Sequence, residues 1–106
     1  MNVEEMTMIT GMRTASIAPG KTGDALAFSQ QILGHLNEKH GATAELLMPV
    51  GGNPSRLGWL SRYENLAQYD AFGTKLLADK VFWELTANNG RTFLAGSLHD
   101  QIWRQI

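Results

Sequence analysis

Arg13, Glu45, Arg62 and His99 are the polar side chains best placed to do chemistry, because each interrupts a stretch of apolar, alternating residues. On a sheet otherwise lined by Trp, Tyr and Met, such groups would project into a small-molecule cavity between the sheet and its helices or a second subunit. There an arginine holds a carboxylate or an enolate, and a histidine moves a proton near neutral pH. The same residues also have a structural use, in which Arg62 or Arg13 pairs with Glu45 or Glu64 at a subunit seam. Trp59, Tyr63, Trp83 and Trp103 serve either as core and interface packing or as walls of a ligand cage. Five methionines suit an adaptable apolar cavity and equally an ordinary core. The ligand-binding candidates are therefore Arg62, His99, Arg13, Trp59, Tyr63 and Trp103, with no catalytic residue assigned.

Two other patterns invite chemistry and do not sustain it. Gly20-Lys21-Thr22 ahead of a helix suggests a phosphate loop, but that motif needs a glycine five positions earlier, where Ala15 stands. A loop and helix cap is the plainer account. His35 and His40 are separated by about 500° of helical rotation, so they do not share a face as a metal pair at i and i+4 does. The spacing predicts a solvated His35 and a His40 that complements the helix dipole at its negative end. No metal site and no cofactor is expected.

Positioning the strand-borne candidates requires a sheet. Residues 5–14 alternate Met6, Met8 and Met12 with Thr7, Ile9 and Arg13, the period of a strand. Ala18-Pro19-Gly20 breaks that pattern, and Thr22 is placed to cap a helix carrying Asp24 in its first turn. Ala25, Phe28, Ile32 and Leu36 form its apolar stripe, and Gly41 supplies a left-handed stop. A second strand is predicted over 42–50 and a third over 56–64, joined through Gly51-Gly52-Asn53-Pro54-Ser55 as an antiparallel hairpin. Asn65 with Gln68 resembles a capping box before a helix that runs to about Ala78. A short helix follows over 79–87, with Val81, Phe82 and Leu85 inward. The last strand, over 96–105, sets Leu98, Ile102 and Ile106 against His99, Gln101 and Trp103.

Strand, helix, strand, strand, helix, strand is the split βαβ order of an α+β, ferredoxin-like fold, with both crossovers laying helices on one face of a four-stranded antiparallel sheet. The other face must be polar or covered. Trp59 and Tyr63 alternate with Leu60, and Trp103 with Ile102, so apolar groups lie on both faces. The charged fraction is 18%, below the roughly 25% of an ordinary domain. A homodimer with two sheets facing each other, a dimeric α+β barrel, is the expected assembly.

The segment Trp59-Leu60-Ser61-Arg62-Tyr63-Glu64-Asn65-Leu66-Ala67-Gln68-Tyr69, a strand running straight into a Leu-Ala-x-Tyr helix start, resembles the NIPSNAP-like and antibiotic-biosynthesis-monooxygenase-like members of the dimeric α+β barrel superfamily. The terminal Leu98-His99-Asp100-Gln101-Ile102-Trp103-Arg104 is similar to their last strand. With the element order, the resemblance spans nearly the whole chain. It specifies the fold more than the activity, because the superfamily includes cofactor-free oxygenases, haem-degrading enzymes, other haem proteins, decarboxylases and isomerases of small aromatics, and members with no assigned activity. Its haem-degrading branch is marked by an Asn on the first strand, a Trp on a helix and a His near the second helix. Here no Asn lies between Glu4 and Ala18. Trp83 matches by position, but no His follows it before His99, so no residue of that branch carries over.

The 106 residues suffice for one domain, 1–106, and not two. A net charge of -1 offers no basic excess for nucleic acid or an anionic membrane, and zero cysteine excludes a disulfide framework and a thiolate site. No apolar run approaches the roughly 20 residues of a membrane span, and the start of the chain lacks the basic head of a signal peptide; the cytoplasm is the expected compartment. The resemblance implies a small-molecule-binding protein or an enzyme, such as a cofactor-independent monooxygenase acting on an aromatic or polyketide-like compound. The alternative is a non-enzymatic structural or accessory homodimer.

Overall fold

In the computed structural model, which describes residues 7–106, the order is β1 (Ile9–Ser16), α1 (Thr22–His40), β2 (Glu45–Leu47), β3 (Arg56–Tyr63), α2 (Leu66–Leu77), α3 (Lys80–Asn88) and β4 (His99–Arg104). The strands form one antiparallel sheet in the order β2-β3-β1-β4, the α+β, ferredoxin-like arrangement. Of the expected alternation on the first strand, Glu5 and Met6 lie outside the described residues. No helix among the described residues is long and apolar enough to cross a membrane.

Register decides what each face carries. Ala15 pairs with Leu57, Arg13 with both Trp59 and Asp100, and Ile9 with Tyr63. Because side chains alternate along a strand, these residues share the helix-covered face. Ile17, Ala25 and Leu57 form the centre of the core, with Leu26, Leu46, Trp59 and Phe93 packed against them. The second face carries Thr10, Met12, Leu60, Arg62, His99, Gln101 and Trp103. Edge strand β4 is exposed along its whole length, on both faces. Ile102, on one, is 49% exposed and Trp103, on the other, 59%.

Local chemistry shifts several element boundaries from their expected places. Thr22 lies inside α1; Lys21 occupies the cap position without a side-chain cap, and the Ala25 amide donates to the Lys21 carbonyl at 2.8 Å. Gly41, at φ 63°, ends α1 as expected. β2 is only three residues long. On one side Asn37 holds the Ala44 backbone, its Oδ1 accepting from the amide at 3.1 Å. On the other, Pro49 has no N–H to give a ladder. β4 starts at His99 because Gly96, at φ 77°, turns the chain and the Ser97 hydroxyl accepts from the Ser16 amide at 3.0 Å. α2 begins as the sequence suggests, with Asn65 Oδ1 accepting from the Gln68 amide at 2.9 Å. Asp79 caps α3, accepting from the Phe82 amide at 3.1 Å. Phe82 is buried and Val81 is exposed, so of the α3 residues expected inward Val81 faces out.

Candidate functional site

None of the residues of α2 is buried. The helix meets the sheet through Tyr69 and Phe72 against Tyr63, and beside it lies a cavity of about 650 Å³ whose walls include Phe28, Ile32, Trp59, Tyr63, Phe72 and Phe93. Aromatic edges fix the wall: Trp59 meets Phe93 at a centroid distance of 5.5 Å, and Tyr63 meets Tyr69 at 5.3 Å and Phe72 at 5.7 Å. Trp59 is further oriented by its indole N–H, which donates to the hydroxyl of buried Ser29 at 3.1 Å.

Arg13 and Asp100 face the same cavity from adjacent strands. The guanidinium donates twice to the carboxylate, Nε to Oδ1 at 2.7 Å and Nη2 to Oδ2 at 2.8 Å. This paired donation raises Arg13 above its ordinary value and holds Asp100 below the usual carboxylate range. Burial pushes the Tyr63 phenol up, keeping it a neutral donor. An apolar volume with a cation and a phenol in its wall suits an aromatic or otherwise flat apolar molecule with an acidic group.

The six candidates divide between the two faces. Arg13, Trp59 and Tyr63 line the cavity. Arg62, His99 and Trp103 stand on the opposite face, where His99 is opposite Thr14 and both Arg62 and Trp103 are opposite Thr10. Arg62 Nη1 donates to Glu45 Oε1 at 3.2 Å across β2 and β3, the pairing weighed for it as a structural contact.

A second cluster brings together what the helical angle appeared to separate. His35 Nε2 lies 2.7 Å and His40 Nε2 2.6 Å from the same oxygen, Asp79 Oδ2. His35 is not solvated: its side chain is 17% exposed, that of His40 7% and that of Asp79 0%. The two imidazoles leave α1 in different directions and reach around a carboxylate delivered between them by the α3 cap. Residue spacing within one helix carries no information about that third group. An ionised carboxylate only accepts, so each Nε2 carries a proton and donates. Burial alone would raise the Asp79 carboxyl, but donation from His40, from the Phe82 amide and from His35, together with the charge on His35, holds it well below the usual carboxylate range.

This depression sets the sign of an acid effect. Below the ordinary value of 3.8 the unfolded chain takes up the Asp79 proton first, so stabilisation fully present above that value is lost as the pH falls toward the folded-state value. Asp79→Asn is expected to be less stable than the wild type at neutral pH and to lose less further stability between about pH 4 and pH 2. Urea midpoints across that range check it; parallel curves for the two proteins would show that the carboxylate does not contribute.

No protein-family model matches the sequence, and no curated protein matches it significantly. Solved structures do match. An uncharacterized NIPSNAP-like domain protein from Burkholderia xenovorans aligns with a TM-score of 0.78 at 15% identity, over 93% of this chain and 85% of its own. A NIPSNAP family protein from Agrobacterium tumefaciens aligns at 0.79 and 16%, over 100% and 92%. The fold is that of NIPSNAP-like proteins. An antibiotic-biosynthesis-monooxygenase-like protein from Bordetella bronchiseptica shares it at 0.71 and 17%, over 93% and 97%. Within this NIPSNAP-like fold, sequence reasoning missed Asp100 and the Asp79 cluster. For Asp100 a signal exists in its place next to His99 on the last strand, while its pairing with Arg13 depends on register.

Proposed function

We propose that the chain is a cytoplasmic small-molecule-binding protein that works as a homodimer, its two sheets packed face to face. The ligand, an aromatic or polyketide-like acid, lies in the helix–sheet cavity with its apolar body against Trp59, Tyr63 and Phe72 and its anionic group at Arg13. The observation that carries this reading is the cavity itself: about 650 Å³, within the roughly 300–1,000 Å³ of small-molecule sites, and walled by aromatic side chains with a guanidinium among them. The dimer is supported by the outer face of β4, where exposed Trp103 is left to be covered.

The name of the Bordetella neighbour suggests an oxygenation. Carried to this cavity it is a cofactor-independent reaction of the ligand's own carbanion, with Arg13 holding the enolate oxygen. The substrate carbon gives up a proton to solvent as the carbanion forms, and the carbanion adds to dioxygen to give a peroxide anion. This takes a proton back from solvent and, as the hydroperoxide, loses its remaining carbon hydrogen with the terminal hydroxyl as water to leave a carbonyl. One oxygen atom enters the product, the other leaves as water, and the substrate supplies the electrons. A second reading, an accessory homodimer without catalysis, is favoured by the engagement of Arg13 with Asp100, which neutralises the Arg13 guanidinium that would polarise a substrate. Dioxygen uptake with a bound, enolisable aromatic compound separates the two.

Calorimetric titration with naphthoate tests the binding. Arg13→Met is expected to weaken it about 10- to 100-fold, the range for a lost charge-assisted hydrogen bond. Asp100→Asn, which releases Arg13, is expected to strengthen it. If both variants bind naphthoate as the wild type does, Arg13 does not face the ligand.

A further inference from the structure

We propose that His35, His40 and Asp79 form a binding site for a divalent transition-metal ion, zinc being the ion that tests it. This site is separate from the Arg13 end of the cavity, and the proposal does not depend on what the cavity binds. Two imidazole nitrogens and one carboxylate oxygen, all within 4.8 Å of one another, are a ligand set that zinc and its neighbours in the first transition row accept. Three protein ligands leave a four-coordinate ion one position for water.

The hydrogen-bonded geometry requires little change to take the ion. Both Nε2 atoms already point at one oxygen, at 2.7 and 2.6 Å. Around a tetrahedral ion with bonds of about 2.0–2.1 Å the same pairs would stand about 3.3 Å apart, so each opens by some tenths of an ångström. The ion takes the place of the two Nε2 protons. No Nδ1 of either histidine is both buried and unpaired among the described residues, so in the tautomer that frees Nε2 the Nδ1 proton meets a hydrogen-bond partner or solvent.

The carboxylate is held for the purpose by its other oxygen. Asp79 Oδ1 accepts from the Phe82 amide at the start of α3, leaving Oδ2 toward the imidazoles. Such an outer hydrogen bond fixes the orientation of a ligating carboxylate. Lys39 opposes the ion, since its Nζ lies 3.5 Å from Oδ1; at 51% exposure the side chain can swing into solvent when a second cation arrives.

Zinc titration of the untagged chain, followed calorimetrically, is expected to give one ion per chain. His35→Gln and His40→Gln are each expected to weaken binding at least about 10-fold, on the scale known for altered metal shells. Lys39→Met, which keeps all three ligands and removes the competing ammonium, is expected to tighten it, a result that an adventitious surface site does not produce. Should a histidine variant fail to fold, ring-nitrogen NMR of the wild type decides: zinc is expected to remove the proton from both Nε2 atoms and leave it on Nδ1. Absence of stoichiometric binding, equal affinity in the folded histidine variants, or Nε2 protons persisting in the zinc-treated chain would each overturn the site.

Discussion

Leu57→Ala is expected to destabilise the fold by about 2–5 kcal/mol, the span seen when a buried aliphatic side chain is cut back and leaves a cavity. Leu57 is 1% exposed and sits on β3, paired with Ala15 on β1 and packed with Ile17 and Ala25. Neighbours on β1, in the segment just after it and on α1 cannot all collapse into the space it leaves. Ile32→Ala belongs to the same class, since Ile32 is also buried, but it borders the cavity, where fewer contacts are lost, and the low end of the range is expected. Phe72 is only half-buried and lies on the cavity wall, so its truncation is expected to cost less than that of Leu57. Urea unfolding at equilibrium measures all three. A loss below about 1 kcal/mol for Leu57→Ala would remove it from the core.

Trp103→Glu carries the largest expected effect on assembly. Light scattering coupled to size exclusion is expected to give the wild type twice 11.7 kDa at micromolar concentration and the variant a single 11.7 kDa chain. A buried tryptophan at an interface is worth roughly 2–4 kcal/mol, so dimer affinity should fall at least about 30-fold, and the introduced charge adds to that. Because Trp103 is exposed on the face away from the helices, the fold of the chain should survive the change. A monomeric wild type, or a variant that remains dimeric, would exclude a face-to-face assembly built on β4.

Element order was legible because the periods are clean: Met8 to Arg13 and Trp59 to Tyr63 alternate, and Ala25, Phe28, Ile32 and Leu36 recur at helical steps. Arg62 and Trp59, grouped from the sequence as candidates for one cavity, stand on opposite faces because residues three apart on a strand point opposite ways. What a single strand cannot show is its parity relative to the others. His99 faces away from the cavity because it pairs with Thr14, while Asp100, one residue on, pairs with Arg13 and reaches it. That difference of one residue in register decides which of two adjacent polar side chains belongs to the site. The expectation of a solvated His35 fails for a related reason. Helical rotation places His35 and His40 correctly on α1, but the carboxylate between them comes from Asp79 on another element, which the sequence shows only as the start of a short helix.

The place where an aromatic acid binds tests the functional account most directly. With naphthoate added to the isotopically labelled chain, NMR shift changes are expected to saturate and to concentrate on Trp59, Tyr63, Phe72 and the Arg13 side chain, which enclose the cavity. Changes concentrated on Trp103 and Leu60 of the outer face, or failure to saturate at any site, would contradict it.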